Sequence, residues 1–208
     1  VDSKIVLTFS EAVDVESGNI PIKKSSDNST IESIDVTSSQ VTGSGSTQIT
    51  INPSSDLDSS TQYYVQIPTT AFDDPSGNSY TGISDTTSLS FTTADVISPS
   101  ITGPSGSAGD ATSNTSINEN STAIHTFSAN ENVTWSLNGG ADSSNFSINS
   151  STGALSFNSS PNYESPTDSN SDNQYIVVVK ATDTSGNTSD QTVTVSIADV
   201  DEISPSIT

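Results

Sequence analysis

One segment of the sequence has residue types and spacing that suit the binding of a hard cation. It runs from Asp168 to Asn173 and reads Asp-Ser-Asn-Ser-Asp-Asn. Oxygens from Asp and Asn at alternating positions are the donors of calcium-binding loops, although here Asn173 stands where such loops have Gly and no Glu follows at the twelfth position. The spacing therefore predicts either a Ca²⁺ ligand set of Asp168, Asn170 and Asp172 or a solvated loop.

Carboxylates far outnumber basic side chains along the whole chain. Four Lys and Arg residues stand against 25 Asp and Glu residues among 208, which gives a formal net charge of −21 at pH 7. Nucleic-acid binding depends on Lys and Arg displacing counterions from phosphates, so this balance excludes it. An acidic excess of this size either keeps a protein soluble in brine or binds cations, and the two are compatible.

The residues that catalysis would need are missing or isolated. The chain has no Cys and one His, His125, which lies in phase with Phe127 and Ala129 of a predicted strand. A single His without Cys is too few ligands for zinc, and a strand-bound His does not suit a Ser-His-Asp triad. Paired carboxylates are plentiful, but a glycosidase needs a cleft that short strands with small loops do not build. We therefore expect a protein that is not an enzyme and whose cofactor is Ca²⁺, in place of disulfides.

Apolar and polar residues alternate in short runs along both halves of the chain. This period of two is typical of strands buried on one face, and it argues against the disorder that a 29% hydrophobic content could also indicate. The expected fold class is all-β, with two tandem β-sandwiches in an elongated arrangement. The runs are Ile5–Phe9, Ile20–Ile22, Ile31–Val36, Ile49–Ile51, Tyr63–Ile67 and Leu89–Phe91, then Phe127–Ala129, Val133–Leu137, Phe146–Ile148, Leu155–Phe157, Tyr175–Val179 and Val193–Ile197.

Three aromatic residues are expected to have structural roles. Trp135 alternates with Val133 and Leu137, which places it in the core rather than on a sugar-stacking surface. Tyr63 and Tyr175 each begin the penultimate strand of a half, the position of a tyrosine corner.

One segment occurs twice and divides the chain. Residues 94–102 read ADVISPSIT, and residues 198–208 read ADVDEISPSIT, which is the same segment with Asp-Glu inserted. The repeat predicts domains at 1–96 and 97–202, with 203–208 opening a further repeat. No run of eighteen apolar residues or export leader is present, so we expect a fragment of a longer protein that does not insert into a membrane.

Residues 1–94 resemble the bacterial Ig-like domain of S-layer and other large surface proteins. The resemblance rests on Ile5–Asp14, Leu57–Val65 and the Asp-x2-Gly-Asn turn of Asp74–Asn78 before a final strand. It implies a sandwich from which the family's first strand is missing.

Residues 97–202 resemble a cadherin repeat of the bacterial type. Seven landmarks follow in the family's order, namely Ile117–Asn120, Phe127–Glu131, Trp135–Leu137, Phe146–Leu155, Pro161–Glu164, Val179–Gly186 and Asp199–Pro205. The resemblance implies a second sandwich that binds Ca²⁺ through acidic loops at its ends. Glu131 and Val133 replace the two residues of the family's Asp-x-Asp, Asn162 replaces an Asp and Ile203 an Asn, so fewer charges and a weaker site are expected.

Strand direction divides the acidic residues of the second sandwich between its two ends. With seven alternating strands, the family's ligand positions fall at the C-terminal end, on Glu119, Asn162, Glu164, Asp199, Asp201 and Glu202. The N-terminal end receives Glu131, Asp183, Asn187 and Asp95, expected to face the loop of Asp56 and Asp58 in the first domain. The alternative is that Asp and Asn simply suit turns, which is sufficient for the matching segments Asp73–Asn78 and Asp183–Asn187.

These patterns together predict a Ca²⁺-binding extender from the tandem-repeat region of a bacterial cell-surface adhesin, stiffened at its domain junctions by Ca²⁺. A Ca²⁺-dependent module that binds a glycan or a protein, and an accessory domain of a secreted hydrolase, are the alternatives. The expected partners are neighbouring repeats of the same chain and a cell-surface glycan or protein. We expect an extracellular monomer, on the bacterial surface or secreted.

Overall fold

The computed structural model describes residues 3–202, and the predicted start of a further repeat at 203–208 lies outside them. The chain divides into two compact units, with the boundary after Val96.

Over residues 3–96, the first unit is built from eight strands, and β1, β2 and β5 bury alternate apolar side chains in its core. Two four-stranded sheets form, in the orders β4-β5-β1-β7 and β3-β2-β6-β8. Ile20, Ile22, Ile49, Ile51 and Tyr63 have no exposed surface and lie in the core between them. The strands are β1 Ile5–Val15, β2 Asn19–Lys24, β3 Thr30–Asp35, β4 Val41–Thr42, β5 Ser46–Ile51, β6 Gln62–Val65, β7 Phe72–Asp73 and β8 Ser90–Thr92.

Over residues 97–202, the second unit contains nine strands and one short 3₁₀ helix, Ser143–Asn145. A four-stranded sheet in the order β10-β17-β16-β13 is accompanied by a three-stranded sheet, β11-β15-β14, and by the pair β12-β9. The strands are β9 Ile101–Thr102, β10 Thr112–Asn118, β11 Ala123–Thr126, β12 Ser128–Ala129, β13 Val133–Leu137, β14 Phe146–Ile148, β15 Ala154–Phe157, β16 Gln174–Asp183 and β17 Thr188–Ala198.

The prediction of an all-β chain of β-sandwich domains is confirmed, and each of the twelve predicted runs overlaps a strand. Trp135 is 6% exposed and packs in the second core, as expected, with its ring centroid 5.9 Å from that of Phe127. Both tyrosine corners are also present. The Asp58 amide donates to the Tyr63 hydroxyl at 3.0 Å, and the Thr167 amide donates to the Tyr175 hydroxyl at 2.9 Å.

Strand β10 was not among the predicted runs, because its sequence, TSNTSIN, is mostly polar. Its inward-facing Ser113 is buried and donates to Gln191 Oε1 at 3.0 Å, while Gln191 Nε2 donates to the Asp110 carbonyl at 2.8 Å. A polar pair therefore fills a position that usually carries an apolar side chain. The strand is held by seven parallel register pairs with β17, from Thr112 opposite Thr192 to Asn118 opposite Ala198.

The parallel pairing of β10 with β17 determines which loops meet at the C-terminal end of the second unit. Both strands run toward the same edge, so Glu119 lies immediately beyond Asn118 and beside the end of β17. The Glu119 amide donates to the Ala198 carbonyl at 3.0 Å, which continues the ladder by one residue. The loop between β15 and β16 returns to the same edge, since Gln174 pairs with Ser196.

Candidate metal centre

An acidic cluster lies at the C-terminal end of the second unit. Glu119 is the member of this cluster whose carboxylate is held by backbone hydrogen bonds. It is 3% exposed, its Oε2 accepts a hydrogen bond from the Tyr163 amide at 2.8 Å, and its Oε1 accepts one from the Val200 amide at 2.9 Å. These two backbone donors hold the pKa of the Glu119 carboxyl below its ordinary value, and the Tyr163 amide has the larger effect of the two. Glu119 is therefore ionised and fixed in place at neutral pH.

Two further glutamates complete the cluster. Glu119, Glu164 and Glu202 each offer a carboxylate oxygen, and these oxygens lie within 4.8 Å of one another. Asn120 Nδ2 donates to Glu202 Oε1 at 2.5 Å, which orients the C-terminal glutamate. Like charges this close repel unless a cation lies between them.

An open cleft of about 400 Å³ adjoins the cluster and is lined by acidic and amide side chains, namely Asn162, Glu164, Asp199, Asp201 and Glu202, together with Val200. Asn162 has a local role as well, because its Oδ1 accepts a hydrogen bond from the Ser165 amide at 2.7 Å. Carboxylate and amide oxygens in this number are the donors that Ca²⁺ prefers, so the residues present fit this ion.

The loop before β16 contains Asp168, Asn170 and Asp172, whose assignment as Ca²⁺ ligands stays a prediction. Asn170 Nδ2 donates to Asp172 Oδ2 at 2.8 Å, and the Gln174 amide donates to Asp172 Oδ1 at 2.8 Å. Each carboxylate oxygen of Asp172 thus accepts a hydrogen bond from within the loop. Asp168, in contrast, is 6% exposed and uses one oxygen, Oδ2, to accept from the Asp172 amide at 2.8 Å.

At the opposite end of the second unit, Glu131 and Asp183 have carboxylate oxygens within 4.8 Å of each other. They are brought together because Val133, which begins β13, pairs with Asp183, the last residue of β16. Asp183 Oδ1 accepts from the amides of Ser185 and Asn187, and Oδ2 accepts from Asn187 Nδ2, all at 2.8 Å. The turn that Asp183 caps therefore uses both of its oxygens.

The first unit contains the same turn at Asp74. Its Oδ1 accepts from the amides of Ser76 and Asn78, and its Oδ2 from Asn78 Nδ2, again all at 2.8 Å. The two matching segments of the sequence form one turn in both units, and hydrogen bonding accounts for the acidic residue in each.

The remaining candidates of the first unit have separate surroundings. Asp58 forms an ion pair with Lys24, whose Nζ lies 2.6 Å from Oδ2, so a protein cation already neutralises this carboxylate. Asp95 Oδ1 accepts a hydrogen bond from Ser59 Oγ at 3.1 Å. Asp56 lies exposed in the loop after β5. Their assignment as metal ligands stays a prediction.

Residues 1–93 match the family model of the bacterial Ig-like domain. The first unit is a bacterial Ig-like domain. Domains of this family are typically non-catalytic structural or adhesion domains. No curated protein matches the chain.

Among solved structures, the chain that contains this Ig-like domain is similar to cadherin extracellular fragments. Human CDH23 EC21-23 matches with 16% identity and a TM-score of 0.48 over 92% of this chain and 64% of that one. The Protocadherin GammaB4 extracellular domain matches with 14% identity and a TM-score of 0.44 over 96% of this chain and 30% of its own. The chain thus spans less than two thirds of either fragment. Between residues 3 and 202, no helix has the length and apolar character needed to cross a membrane.

Sequence reasoning about the unit that follows the Ig-like domain missed Asp142. This residue is 3% exposed; its Oδ1 accepts from the Ser169 amide at 2.6 Å and its Oδ2 from the Ile176 amide at 2.8 Å. It fastens the loop before β16 to the edge of the sheet. The available signal was weak, because an Asp after Gly139-Gly140-Ala141 reads as an ordinary turn residue.

His125, the one histidine of the chain, has a structural environment. Its ring packs edge-on against Phe127, with centroids 5.1 Å apart, and burial lowers its pKa below the ordinary value. The ring is therefore neutral at pH 7, which agrees with the structural role expected from its place in a strand.

Proposed function

We propose that this chain is a Ca²⁺-binding structural extender of a bacterial cell-surface adhesin, working outside the cell beside neighbouring repeats of the same protein. The observation that carries the proposal is the buried, doubly anchored carboxylate of Glu119 within 4.8 Å of oxygens from Glu164 and Glu202. These three are the proposed core ligands. Asn162, Asp199 and Asp201 line the adjoining cleft and complete the donor supply.

The charge balance of the second unit supports a bound cation. Lys180 is its one Lys or Arg residue, and it pairs in register with Asp190 on the neighbouring strand. Lys180 lies six positions along β16 from Gln174, a length of roughly 20 Å in an extended strand. The glutamate cluster therefore depends on an ion from solution for neutralisation. Extracellular modules bind Ca²⁺ with dissociation constants of about 10⁻⁴ to 10⁻³ M, and we expect this range.

The placement of aromatic side chains favours an extender over a ligand-binding module. Tyr63, Tyr64 and Tyr175 are buried, and Tyr80 packs against the first core. Sugar-binding and protein-binding surfaces are usually rich in exposed aromatic side chains. The described loops offer few such side chains, whereas the sandwiches and the repeated linker sequence suit a spacer.

A Ca²⁺-dependent binding module is the second candidate, and one observation favours it. Tyr163 is 38% exposed and Val200 is also 38% exposed, and the amides of these same two residues hold Glu119. An ion at the cluster would thus order two exposed apolar groups, to which a glycan or a protein could bind. Loss of binding to host-cell glycans or proteins on Tyr163→Ser, with Ca²⁺ binding retained, would favour this candidate over the extender.

Calcium titration of the chain and its variants tests the proposal. Isothermal calorimetry and native mass spectrometry are expected to show Ca²⁺ uptake that Glu164→Gln weakens at least tenfold, since the change removes charge from an exposed ligand. Glu11→Gln, at an exposed position on β1, is the matched control and should change nothing. No Ca²⁺ uptake at millimolar concentration, or equal uptake by Glu164→Gln, would overturn the calcium proposal.

The extender role also requires that the linker of residues 94–102 be stiff when Ca²⁺ is bound. A spacer projects well only if its modules hold a fixed angle, and a short linker with Pro99 is stiff by composition. Asp95 and Glu131 are the carboxylates that the sequence assigns to a junction ion. Small-angle scattering is expected to give a larger radius of gyration in Ca²⁺ than in chelator, and identical profiles would count against stiffening by Ca²⁺.

A further inference from the structure

The loop from Tyr163 to Asn173 contains a buried carboxylate oxygen with no hydrogen-bond partner. Asp168 is 6% exposed, and its Oδ2 accepts from the Asp172 amide at 2.8 Å. Its other oxygen, Oδ1, is buried and accepts nothing. A charged oxygen that has lost its water and gained no partner is strongly destabilising, so such an atom in a folded protein indicates a missing water or ion.

Asn173 provides a second oxygen of the same kind. Its Oδ1 is buried and unpartnered, although its Nδ2 donates to the Tyr163 carbonyl at 3.0 Å. The backbone of Asn173 is left-handed, with φ of 62°, and its carbonyl accepts from the Ile197 amide at 2.9 Å. The backbone of Asn173 is thus held against β17. Its unpartnered side-chain oxygen belongs to the same loop as that of Asp168, and Asn173 directly follows Asp172, whose amide donates to Asp168 Oδ2.

The charge around this loop is negative. Asp142, 3% exposed, accepts from the Ser169 amide at 2.6 Å, so a second buried carboxylate contacts the backbone of this loop at the residue after Asp168. Lys180 is the unit's one Lys or Arg, and it lies in register with Asp190 rather than at the loop end of β16. His125 is neutral at pH 7 because burial lowers its pKa. The described side chains of this unit therefore leave the two carboxylates without a protein cation.

We propose that this loop binds its own Ca²⁺ ion, held by Asp168 Oδ1 and Asn173 Oδ1 and completed by main-chain carbonyls and water. Both side-chain donors are oxygens, one charged and one neutral, which is the chemistry that Ca²⁺ prefers. The ligand set differs from the one that the Asp-x-Asn-x-Asp spacing predicts. The proposal leaves out Asn170 and Asp172, because Asp172 accepts from Asn170 Nδ2 and from the Gln174 amide and neither residue has a buried oxygen without a partner.

This site is distinct from the Glu119 cluster, yet the two share a connection. Asn173 Nδ2 donates to the Tyr163 carbonyl, and the Tyr163 amide donates to Glu119 Oε2. An ion that fixes Asn173 would also fix the backbone of Tyr163, whose amide is one of the two donors that anchor Glu119. Binding at the two sites should therefore be mutually favourable, and by thermodynamic reciprocity equally so in both directions.

Asp168→Asn and Asp172→Asn form the decisive pair of variants in the full chain, because they make the same change four residues apart. Native mass spectrometry and calorimetry with Ca²⁺ alone are expected to show one ion fewer for Asp168→Asn than for the natural sequence. Asp172→Asn should keep the full number. Glu164→Gln should lose the cluster ion while the loop ion remains, so a failure of the cluster and a failure of the loop site give different results.

Asn173→Gly provides a second test if Asp168→Asn does not fold. Glycine tolerates the left-handed backbone at this position, and the change removes one ligand oxygen. The affinity of the loop ion is expected to fall at least tenfold. Unchanged stoichiometry and affinity in both variants would overturn the proposal, as would a crystal structure in saturating Ca²⁺ with only an ordered water at Asp168 Oδ1.

Discussion

Glu119 and Val200 lie 81 residues apart and are joined by a hydrogen bond of 2.9 Å from the Val200 amide to Glu119 Oε1. The bond joins the beginning of the second unit to its end, because Glu119 follows the first long strand of the unit, β10, and Val200 follows the last, β17. Its strength depends on the charge of the carboxylate, since hydrogen bonds to an ionised acceptor are roughly twice as strong as neutral ones. The stability of this unit should therefore depend on the protonation of Glu119.

Acid should weaken the second unit through Glu119. The folded protein lowers the pKa of this carboxyl below its ordinary value of 4.5, so the folded state binds the proton less readily than the unfolded state. The resulting stabilisation is complete above pH 4.5 and is lost as the pH falls through the folded pKa. Urea unfolding followed by the fluorescence of Trp135, the one tryptophan of the chain, reports on this unit alone.

The comparison for this prediction is Glu119→Gln, measured in chelator to exclude metal. The natural sequence should be more stable than the variant at pH 6, and the difference should shrink as the pH falls toward 3. A difference that stays constant across this range would mean that the charge of Glu119 does not stabilise the fold.

Calcium should raise the thermal stability of the second unit. At a concentration of one hundred times the dissociation constant, one ion that binds only the folded state adds about 2.7 kcal/mol. For a unit of about one hundred residues, this corresponds to a rise of roughly 10 °C or more in Tm. The transition of Trp135 fluorescence should shift accordingly, and Glu164→Gln should shift less at the same Ca²⁺ concentration. An equal shift in the variant would contradict a role for the glutamate cluster.

The tyrosine corner of the second unit should be worth about 1 kcal/mol. Tyr175→Phe removes the hydroxyl that accepts from the Thr167 amide at 2.9 Å and leaves a partly buried donor unpaired. The midpoint of Trp135-monitored unfolding should fall. Tyr63→Phe removes the matching bond in the Ig-like domain, so it serves as a control that should leave the Trp135 transition in place. A lowered Trp135 midpoint in Tyr63→Phe would show that the two units unfold together.

Gly103 should tolerate no side chain. A Cβ at this position would lie 2.0 Å from Gln191 Oε1 and 2.7 Å from Ser113 Oγ. Gly103→Ala is therefore expected to break the buried Ser113–Gln191 pair and to cost about 1–3 kcal/mol, the usual range for overpacking. The double variant Gly103→Ala, Gln191→Ala removes the obstructing amide and should recover part of this loss. If the single variant unfolds like the natural sequence, the pair is not as closely packed as described.

The strands with a clear apolar period could be predicted from sequence because the side chains that define the period also fill the cores. Strand β10 could not, since its pairing with β17 and the Ser113–Gln191 hydrogen bond replace apolar burial. The short strands β4, β7 and β9 have two residues each and carry no period at all. Such elements are determined by the strand beside them rather than by their own residues.

The candidate sites, like the strands, include features that could be predicted from the sequence and features that could not. The meeting of Glu119 with Glu164 was predicted from the resemblance to a cadherin repeat, whose topology places both residues at one end of the sandwich. The spacing of Asp168, Asn170 and Asp172 did not show which side chains would satisfy one another within the loop. The position of Asn173 in the loop depends on its left-handed backbone and on the hydrogen bond from the Ile197 amide to its carbonyl. The spacing of the acidic residues predicts neither feature.

The parallel pairing of β10 with β17 also determines how the second unit would respond to a pulling force. These are the first and last long strands of the unit, and tension on the two ends of the chain would slide them past each other. Seven register pairs would then carry the load together, whereas antiparallel terminal strands would open one hydrogen bond at a time. In the proposed extender, which would be loaded in this way at a cell surface, the polar strand β10 would serve as a mechanical clamp.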